Sequence, residues 1–147
     1  MSCIVIGNYE PTSRPAIPFF LERVSAGFPS PAEDYIEKTI DLNELCIQHP
    51  AATFFVRVQG DSMVEAGIYP GDVLVVDRSL HAGHGDTIIA SLESEMTVKE
   101  LHTFPLPIRL LPRNPNYQPI VIEGDMVMEV FGVVTNVVRK LRRSRSE

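Results

Sequence analysis

Two polar side chains in this sequence have the chemistry of a nucleophile and its base. Ser62 directly follows Gly60 and Asp61, which end an alternating apolar segment. Such a turn lifts the next side chain away from the sheet and leaves nearby backbone N–H groups outside the strand ladder. A serine hydroxyl becomes a nucleophile when a neighbouring base takes its proton, and an unprotonated lysine can be that base. We expect Lys99, on a second alternating segment, to fill this role.

Lys99 must lose its charge before it can accept a proton. A free lysine titrates near pH ~10.4, so only roughly one in 2,500 is neutral at pH 7. Burial among apolar groups lowers the pKa of an amine because it disfavours the charged form. We expect Val98, Leu101 and Met63 to supply that apolar environment. Backbone N–H groups around Asp61 to Met63 would hold the oxyanion, and Met63 would flank the cleft.

His102 is a rival base for Ser62 because it follows Lys99 closely in the sequence. Residues 99 and 102 point to opposite faces if the strand continues, so only one of them can face the serine. We therefore interpret His102 as an edge or core histidine.

Four residues of types that bind zinc also occur, as the pairs Cys46 with His49 and His81 with His84. Neither pair has the usual two-cysteine spacing. The first pair falls on a predicted helix, where positions three apart share a face for ordinary packing. The sequence therefore predicts no metal and no cofactor.

Alternation and turn residues predict a mainly antiparallel β fold. Asp41 and Glu44 have the spacing of a capping box, which predicts a short helix over 42–48 that ends before Pro50. Glu93 and Ser94 predict a tight hairpin. The predicted strands are 53–59, 72–77, 86–92, 95–102, 108–111, 120–122 and 126–139, the last bent or split at Gly132.

The composition is that of one ordinary soluble domain with tails: 147 residues, 44% hydrophobic and 22% charged. No apolar run approaches the ~18 residues that span a bilayer, and the N-terminus lacks the layout of a signal peptide, so we expect a cytoplasmic protein. The net charge of -6 divides into +4 over residues 139–147 and -10 over the rest. An acidic body argues against a broad nucleic-acid-binding face.

The first 31 residues carry five prolines, which exclude a long helix and make an independent domain improbable. Their apolar side chains suit an extended arm that docks along a groove or a sheet edge. Ala26 and Gly27 are the two smallest residue types, so the bond between them can enter a narrow cleft with little steric resistance. The predicted organisation is an arm over 1–31, a β-rich domain over 32–140 and a basic tail over 141–147.

Three motifs together resemble a known family: Gly60-Asp61-Ser62-Met63, then Gly71-Asp72 before an apolar strand, then Thr97-Val98-Lys99. They look like the self-cleaving Ser-Lys proteases that include the LexA repressor and UmuD. The similarity is greatest to the UmuD type, plasmid-borne relatives included, and extends from about Phe28 to Val134. The resemblance implies a folded-over antiparallel β domain of the LexA and signal-peptidase type.

The resemblance also implies an activity and partners. Members of the UmuD type are cut at a small-residue–Gly bond, which corresponds to Ala26-Gly27 here, with Ser62 as nucleophile and Lys99 as base. The trimmed form would be a homodimer that joins a UmuC-like Y-family polymerase in translesion synthesis during the SOS response. RecA filaments on single-stranded DNA would stimulate the cut as coprotease.

Two other interpretations remain at this stage. The first is an interaction module whose Ser-Lys site is catalytically silent. The second is a transcription regulator of the LexA or phage-repressor type. However, an N-terminal segment of about 26 residues that is interrupted by prolines cannot form a helix-turn-helix DNA-binding domain. We therefore expect neither sequence-specific DNA binding nor a membrane partner.

Overall fold

The computed structural model of the chain describes residues Cys3–Asn8, Ile17–Phe20 and 36–142. The chain divides into two compact units, one formed by residues 1–9 and 49–147 and the other by residues 10–48. The larger unit carries an eight-stranded sheet, and the smaller one carries two paired strands and a short helix. All strand pairs are antiparallel, so the predicted mainly β class is confirmed.

The elements described are ten strands, one α-helix and two 3₁₀ turns. The strands are β1 (Cys3–Asn8), β2 (Ile17–Phe20), β3 (Ile36–Ile40), β4 (Thr53–Val58), β5 (Val73–Asp77), β6 (Thr87–Leu92), β7 (Glu95–His102), β8 (Arg109–Leu111), β9 (Ile120–Val121) and β10 (Met128–Val138). Helix α1 is Leu42–Cys46, and the 3₁₀ turns are Pro50–Ala52 and Val64–Ala66. In the larger sheet the strand order is β1-β4-β5-β10-β6-β7-β8-β9.

Helix α1 begins where the sequence predicts but is shorter. The Asp41 carboxylate caps it by accepting a hydrogen bond from the Asn43 N–H at 3.0 Å. The helix ends at Cys46 because Ile47 already has extended backbone, with φ -121° and ψ 109°. None of the helices in the described ranges is long and apolar enough to cross a membrane.

Strands β4 and β7 bring the candidate residues into the core. Val56 and Val58 of β4 are buried, and so is Thr53, whose hydroxyl donates to the His49 carbonyl at 2.7 Å. Five consecutive residues of β7, from 97 to 101, are buried. A strand buried on both faces offers a dry environment to any polar side chain that it carries.

Strand β10 passes very close to β5 at Gly132, where its pairing with β6 shifts register. A Cβ at Gly132 would lie 2.6 Å from Val76 Cγ1 and 3.1 Å from the Asp77 carbonyl oxygen. Because both neighbours belong to the packed sheet, we expect Gly132→Ala to lower the free energy of unfolding by about 1–3 kcal/mol. Urea denaturation measures this.

The matched control for that variant is Gly83→Ala, since the closest atom to a Cβ at Gly83 is an Asp86 carboxylate oxygen at 3.8 Å. We expect this control to unfold at the wild-type midpoint. Equal midpoints for Gly132→Ala and Gly83→Ala would show that the sheet adjusts to the added methyl group without cost.

Candidate active site

Ser62 lies in the turn that follows β4. Gly60 has a φ of +86°, a left-handed conformation that glycine adopts without steric cost, and there the chain leaves the strand. After Ser62 the chain enters the 3₁₀ turn Val64–Ala66, in which the Ala66 N–H donates to the Met63 carbonyl at 3.0 Å. The side chain is therefore carried by a turn, as the sequence predicts, but Ser62 has no exposed surface.

Lys99 extends from β7 to Ser62. The distance from Lys99 Nζ to Ser62 Oγ is 3.1 Å. The same nitrogen lies 2.9 Å from Thr97 Oγ1 and 3.1 Å from the Val98 carbonyl oxygen. Lys99 is only 4% exposed, so the structure brings the two predicted side chains together in a buried position.

The three partners of Lys99 Nζ can be satisfied by either form of the amine: a charged ammonium donates to all three oxygens, and a neutral amine serves them as follows. A neutral amine has two N–H groups and one lone pair. The N–H groups can donate to Thr97 Oγ1 and to the Val98 carbonyl, which leaves the lone pair to accept the hydrogen bond from the Ser62 hydroxyl. This is the arrangement that a lysine needs in order to take a proton from a serine.

Burial favours that neutral form. It lowers the pKa of Lys99 below the ordinary value of 10.5, and Cys3 opposes the effect electrostatically. Burial also raises the pKa of the Cys3 thiol to about 11, so at neutral pH this thiol carries no charge with which to hold a proton on Lys99. Among the described ion pairs, none joins a carboxylate to Lys99.

The residues on either side of Ser62 have different environments. Met63 has no exposed surface and belongs to an apolar cluster that includes Cys3, Val58 and Val98. Asp61 is exposed, and its carboxylate accepts a hydrogen bond from the Tyr117 hydroxyl at 2.6 Å. Met63 thus adds to the dry surroundings of the site, while Asp61 faces solvent.

His102 belongs to a separate polar group. Its Nε2 lies 2.7 Å from Glu100 Oε1, and its ring meets that of His84 with centroids 4.6 Å apart. Glu100 also accepts from Arg113 Nε at 2.7 Å, and the hydrogen bonds from Arg113 and His102 hold the pKa of the Glu100 carboxyl below its ordinary value. The structure places Lys99, and not His102, beside Ser62.

Two histidines of the possible zinc pairs, His49 and His84, have other partners. His49 Nδ1 lies 2.6 Å from Asp77 Oδ2, and His84 Nδ1 accepts from the Thr103 N–H at 3.1 Å. Within the part of the chain that the structure describes, no three His, Cys, Asp or Glu side chains are arranged to hold a metal ion.

A segment that sequence reasoning missed also contacts the Ser62 turn. The Arg113 N–H donates to the Ser62 carbonyl at 2.7 Å, and the Asn114 side-chain amide donates to the Asp61 carbonyl at 2.9 Å. In the predicted strand pattern this segment is only the connection between strands 108–111 and 120–122. No local pattern could have revealed its partners, because more than fifty positions separate Asn114 and Tyr117 from Asp61.

The predicted cleavage bond, Ala26-Gly27, lies outside the described residues. The strands on either side of it in the sequence are described. They are β2 and β3, which pair with Ile17 opposite Ile40 and Phe20 opposite Ile36.

Comparison with known proteins identifies relatives over most of the chain. The family described as "Peptidase S24-like" matches residues 18–135. The chain is 48% identical to protein MucA of Salmonella typhimurium over 122 residues, 82% of this chain and 83% of MucA. It is 48% identical to protein SamA of Salmonella typhimurium strain LT2 over 142 residues, 97% of this chain and 98% of SamA. It is 46% identical to protein ImpA of Shigella flexneri over 129 residues, 87% of each chain. On this match and the confirmed β fold, the chain belongs to the Peptidase S24-like family, as its resemblance to the UmuD-type proteases predicts.

Proposed function

We propose that this protein is a serine peptidase that cuts its own chain between Ala26 and Gly27. The observation that carries the proposal is the 3.1 Å distance between Lys99 Nζ and Ser62 Oγ in a buried site. Membership of the Peptidase S24-like family supports the same chemistry.

The cut proceeds through an acyl-enzyme. Neutral Lys99 takes the Ser62 hydroxyl proton as Oγ attacks the Ala26 carbonyl carbon, and the oxyanion is held by backbone N–H groups around Asp61 to Met63. Lys99 then gives the proton to the Gly27 nitrogen, and the peptide bond breaks. In the deacylation step, Lys99 takes a proton from water as the water oxygen attacks the ester carbonyl carbon. The bond from that carbon to Ser62 Oγ then breaks, Lys99 returns the proton to Oγ, and the Ala26 carboxyl group is released.

Because the Ala26-Gly27 bond and Ser62 belong to the same chain, even a slow peptidase is sufficient. Gly27 and Ser62 are only 35 positions apart, although β3, α1 and β4 occupy part of that segment. A substrate bond that is covalently linked to its nucleophile, or carried by a dimer partner, starts at a high local concentration. One turnover per chain completes the reaction.

The cut product would be the active form in DNA damage tolerance. Removing residues 1–26 leaves the strands from β3 to β10, and with them Ser62 and Lys99. In this proposal the trimmed chain forms a homodimer in the cytoplasm and joins a UmuC-like Y-family polymerase for translesion synthesis in the SOS response. The similarity to MucA, SamA and ImpA over most of the chain supports this assignment.

RecA filaments on single-stranded DNA would act as the coprotease. In this role they would bind preferentially to the conformation in which the Ala26-Gly27 bond lies in the site. A few kcal/mol of differential binding suffices to shift such an equilibrium.

The pH dependence of self-cleavage tests the proposal. The neutral fraction of Lys99 increases with pH through its lowered pKa, so we expect the rate to rise with pH and to level off below pH 10.5. Full-length protein incubated across this range should release one fragment that ends at Ala26 and one that begins at Gly27, identified by intact mass. A Ser62→Ala sample at each pH controls for hydrolysis by solvent.

An intact chain across the whole range would contradict the proposal. The protein would then be an interaction module that keeps the family fold with a silent Ser-Lys pair.

A further inference from the structure

The two peptide groups that flank Ser62 are both held by one segment, residues 113–117. The Asp61 carbonyl accepts from the Asn114 side chain at 2.9 Å, and the Ser62 carbonyl accepts from the Arg113 N–H at 2.7 Å. The Tyr117 hydroxyl adds a third hydrogen bond, to the Asp61 carboxylate.

These contacts fix the direction of two backbone N–H groups. A peptide unit is planar, and in the trans form its N–H points opposite to its C=O. The two cis bonds in the described chain precede Pro105 and Pro107, so the units around Ser62 are trans. The carbonyls of Asp61 and Ser62 point towards residues 113–117. The N–H groups of the same two peptide units, which belong to Ser62 and Met63, therefore point away from that segment.

Asn114 is itself held in a single orientation. Its Oδ1 accepts from the Asn116 N–H at 3.0 Å, so its Nδ2 is the group that faces Asp61. The Tyr117 N–H donates to the Asn114 carbonyl at 3.1 Å and closes the turn. Only 9% of the Asn114 surface is exposed, and both the nitrogen and the oxygen of its side-chain amide form hydrogen bonds.

The same segment is anchored to the strand that carries Lys99. Arg113 donates from its guanidinium to the carboxylate of Glu100, the residue after Lys99 on β7. The Glu65 N–H donates to the Arg113 carbonyl at 2.9 Å, which ties the segment to the far side of the Ser62 turn. Residues 113–117 thus link the turn of the nucleophile to the strand of the base.

We propose that Asn114 is a positioning residue for self-cleavage. Its side-chain amide orients the Asp61-Ser62 peptide so that the Ser62 N–H faces the oxyanion of the tetrahedral intermediate. The inference rests on the proposed function, because it assigns part of the same reaction. Asn114 touches no reacting atom and acts only through the peptide group that it holds.

Asn114→Ser tests this inference. A serine hydroxyl can still accept from an N–H two positions ahead and keep the turn, but it is too short to donate to the Asp61 carbonyl. Losing an aligned oxyanion donor costs about 10²–10³-fold in rate. We therefore expect the rate of self-cleavage on the alkaline plateau to fall by about that factor, while the midpoint of the pH profile, which reports Lys99, stays in place.

The control is Gln118→Ser, which shortens an exposed amide side chain just beyond residues 113–117 and should keep the wild-type rate. A wild-type plateau in Asn114→Ser would overturn the inference and leave the proposed function standing. A lower plateau with the midpoint moved to higher pH would also overturn it, because a loosened site that admits water restores the charge on Lys99. A wild-type chain that stays uncut at every pH would instead overturn the proposed function, and the inference with it.

Asn114→Asp provides a second variant should Asn114→Ser not fold. It keeps the size of the side chain and the acceptor for the Asn116 N–H, but it turns an oxygen towards the Asp61 carbonyl. We expect its plateau rate to fall by at least 10²-fold. A wild-type plateau in this variant would overturn the inference.

Discussion

Ser62→Ala is expected to abolish self-cleavage at every pH while the chain stays folded. Without Oγ no acyl-enzyme can form, and losing a serine nucleophile costs about 10⁶-fold in rate where this has been measured in serine proteases. The fold should survive because the change removes one buried oxygen, and Lys99 Nζ keeps its contacts with Thr97 and the Val98 carbonyl. Intact mass after prolonged alkaline incubation, together with urea denaturation, measures both outcomes.

The matched control is Ser91→Ala, which removes a hydroxyl from β6 and should be cut at the wild-type rate. Release of the 27–147 fragment from the Ser62→Ala chain at a normal rate would show that another group attacks the bond. A Ser62→Ala chain that is uncut but unfolded would give no support, which is why the unfolding midpoint belongs to the same experiment.

The sequence predicted most reliably what depends on neighbouring residues. Strand β7 has the predicted bounds, Glu95–His102, because its alternation is strong and a hairpin precedes it. Glu93 and Ser94 have φ of 49° and 69°, the positive values that a two-residue hairpin turn requires. Since side chains alternate along a strand, the bounds of β7 also determined that Lys99 and His102 point to different faces.

Contacts between distant segments could not be predicted in this way. Strand β10 lies between β5 and β6 in the sheet, an order that no local pattern encodes. The sequence analysis placed Arg139 at the end of a predicted strand and in the basic stretch 139–147, without a partner. In the structure it donates to both oxygens of the Asp72 carboxylate at 2.6 Å and lies over the Tyr69 ring, because β10 runs beside β5 and ends close to Asp72. Asn114 was missed for the same reason.

Lys99→Met is expected to reduce self-cleavage by about 10²–10⁴-fold, the contribution of a positioned general base. Methionine is unbranched and apolar, so it can fill the buried path of the lysine side chain without presenting a base to Ser62. The rate is measured on the alkaline plateau of the wild-type protein. Lys140→Met, the same change at an exposed lysine, should leave the rate unaltered.

The same variant also tests whether the folded protein keeps Lys99 uncharged. The pKa of Lys99 is lowered by folding from its ordinary 10.5, so between the two values the unfolded chain binds more protons than the folded one. Wild-type stability must then rise with pH through this window, because folding no longer has to remove a proton from Lys99. Lys99→Met lacks this titration.

We therefore expect the free energy of unfolding of Lys99→Met minus that of the wild type to be greatest at pH 7. This difference should decrease as the pH approaches 10.5. Lost hydrogen bonds to Thr97 and Val98 lower the stability of the variant at every pH, so the change of the difference with pH isolates the titration of Lys99. Urea denaturation at pH 7 and pH 10 measures it, with Lys140→Met as the reference. A difference that stays constant, or grows with pH, would mean that Lys99 keeps its proton in the folded chain and cannot act as the base.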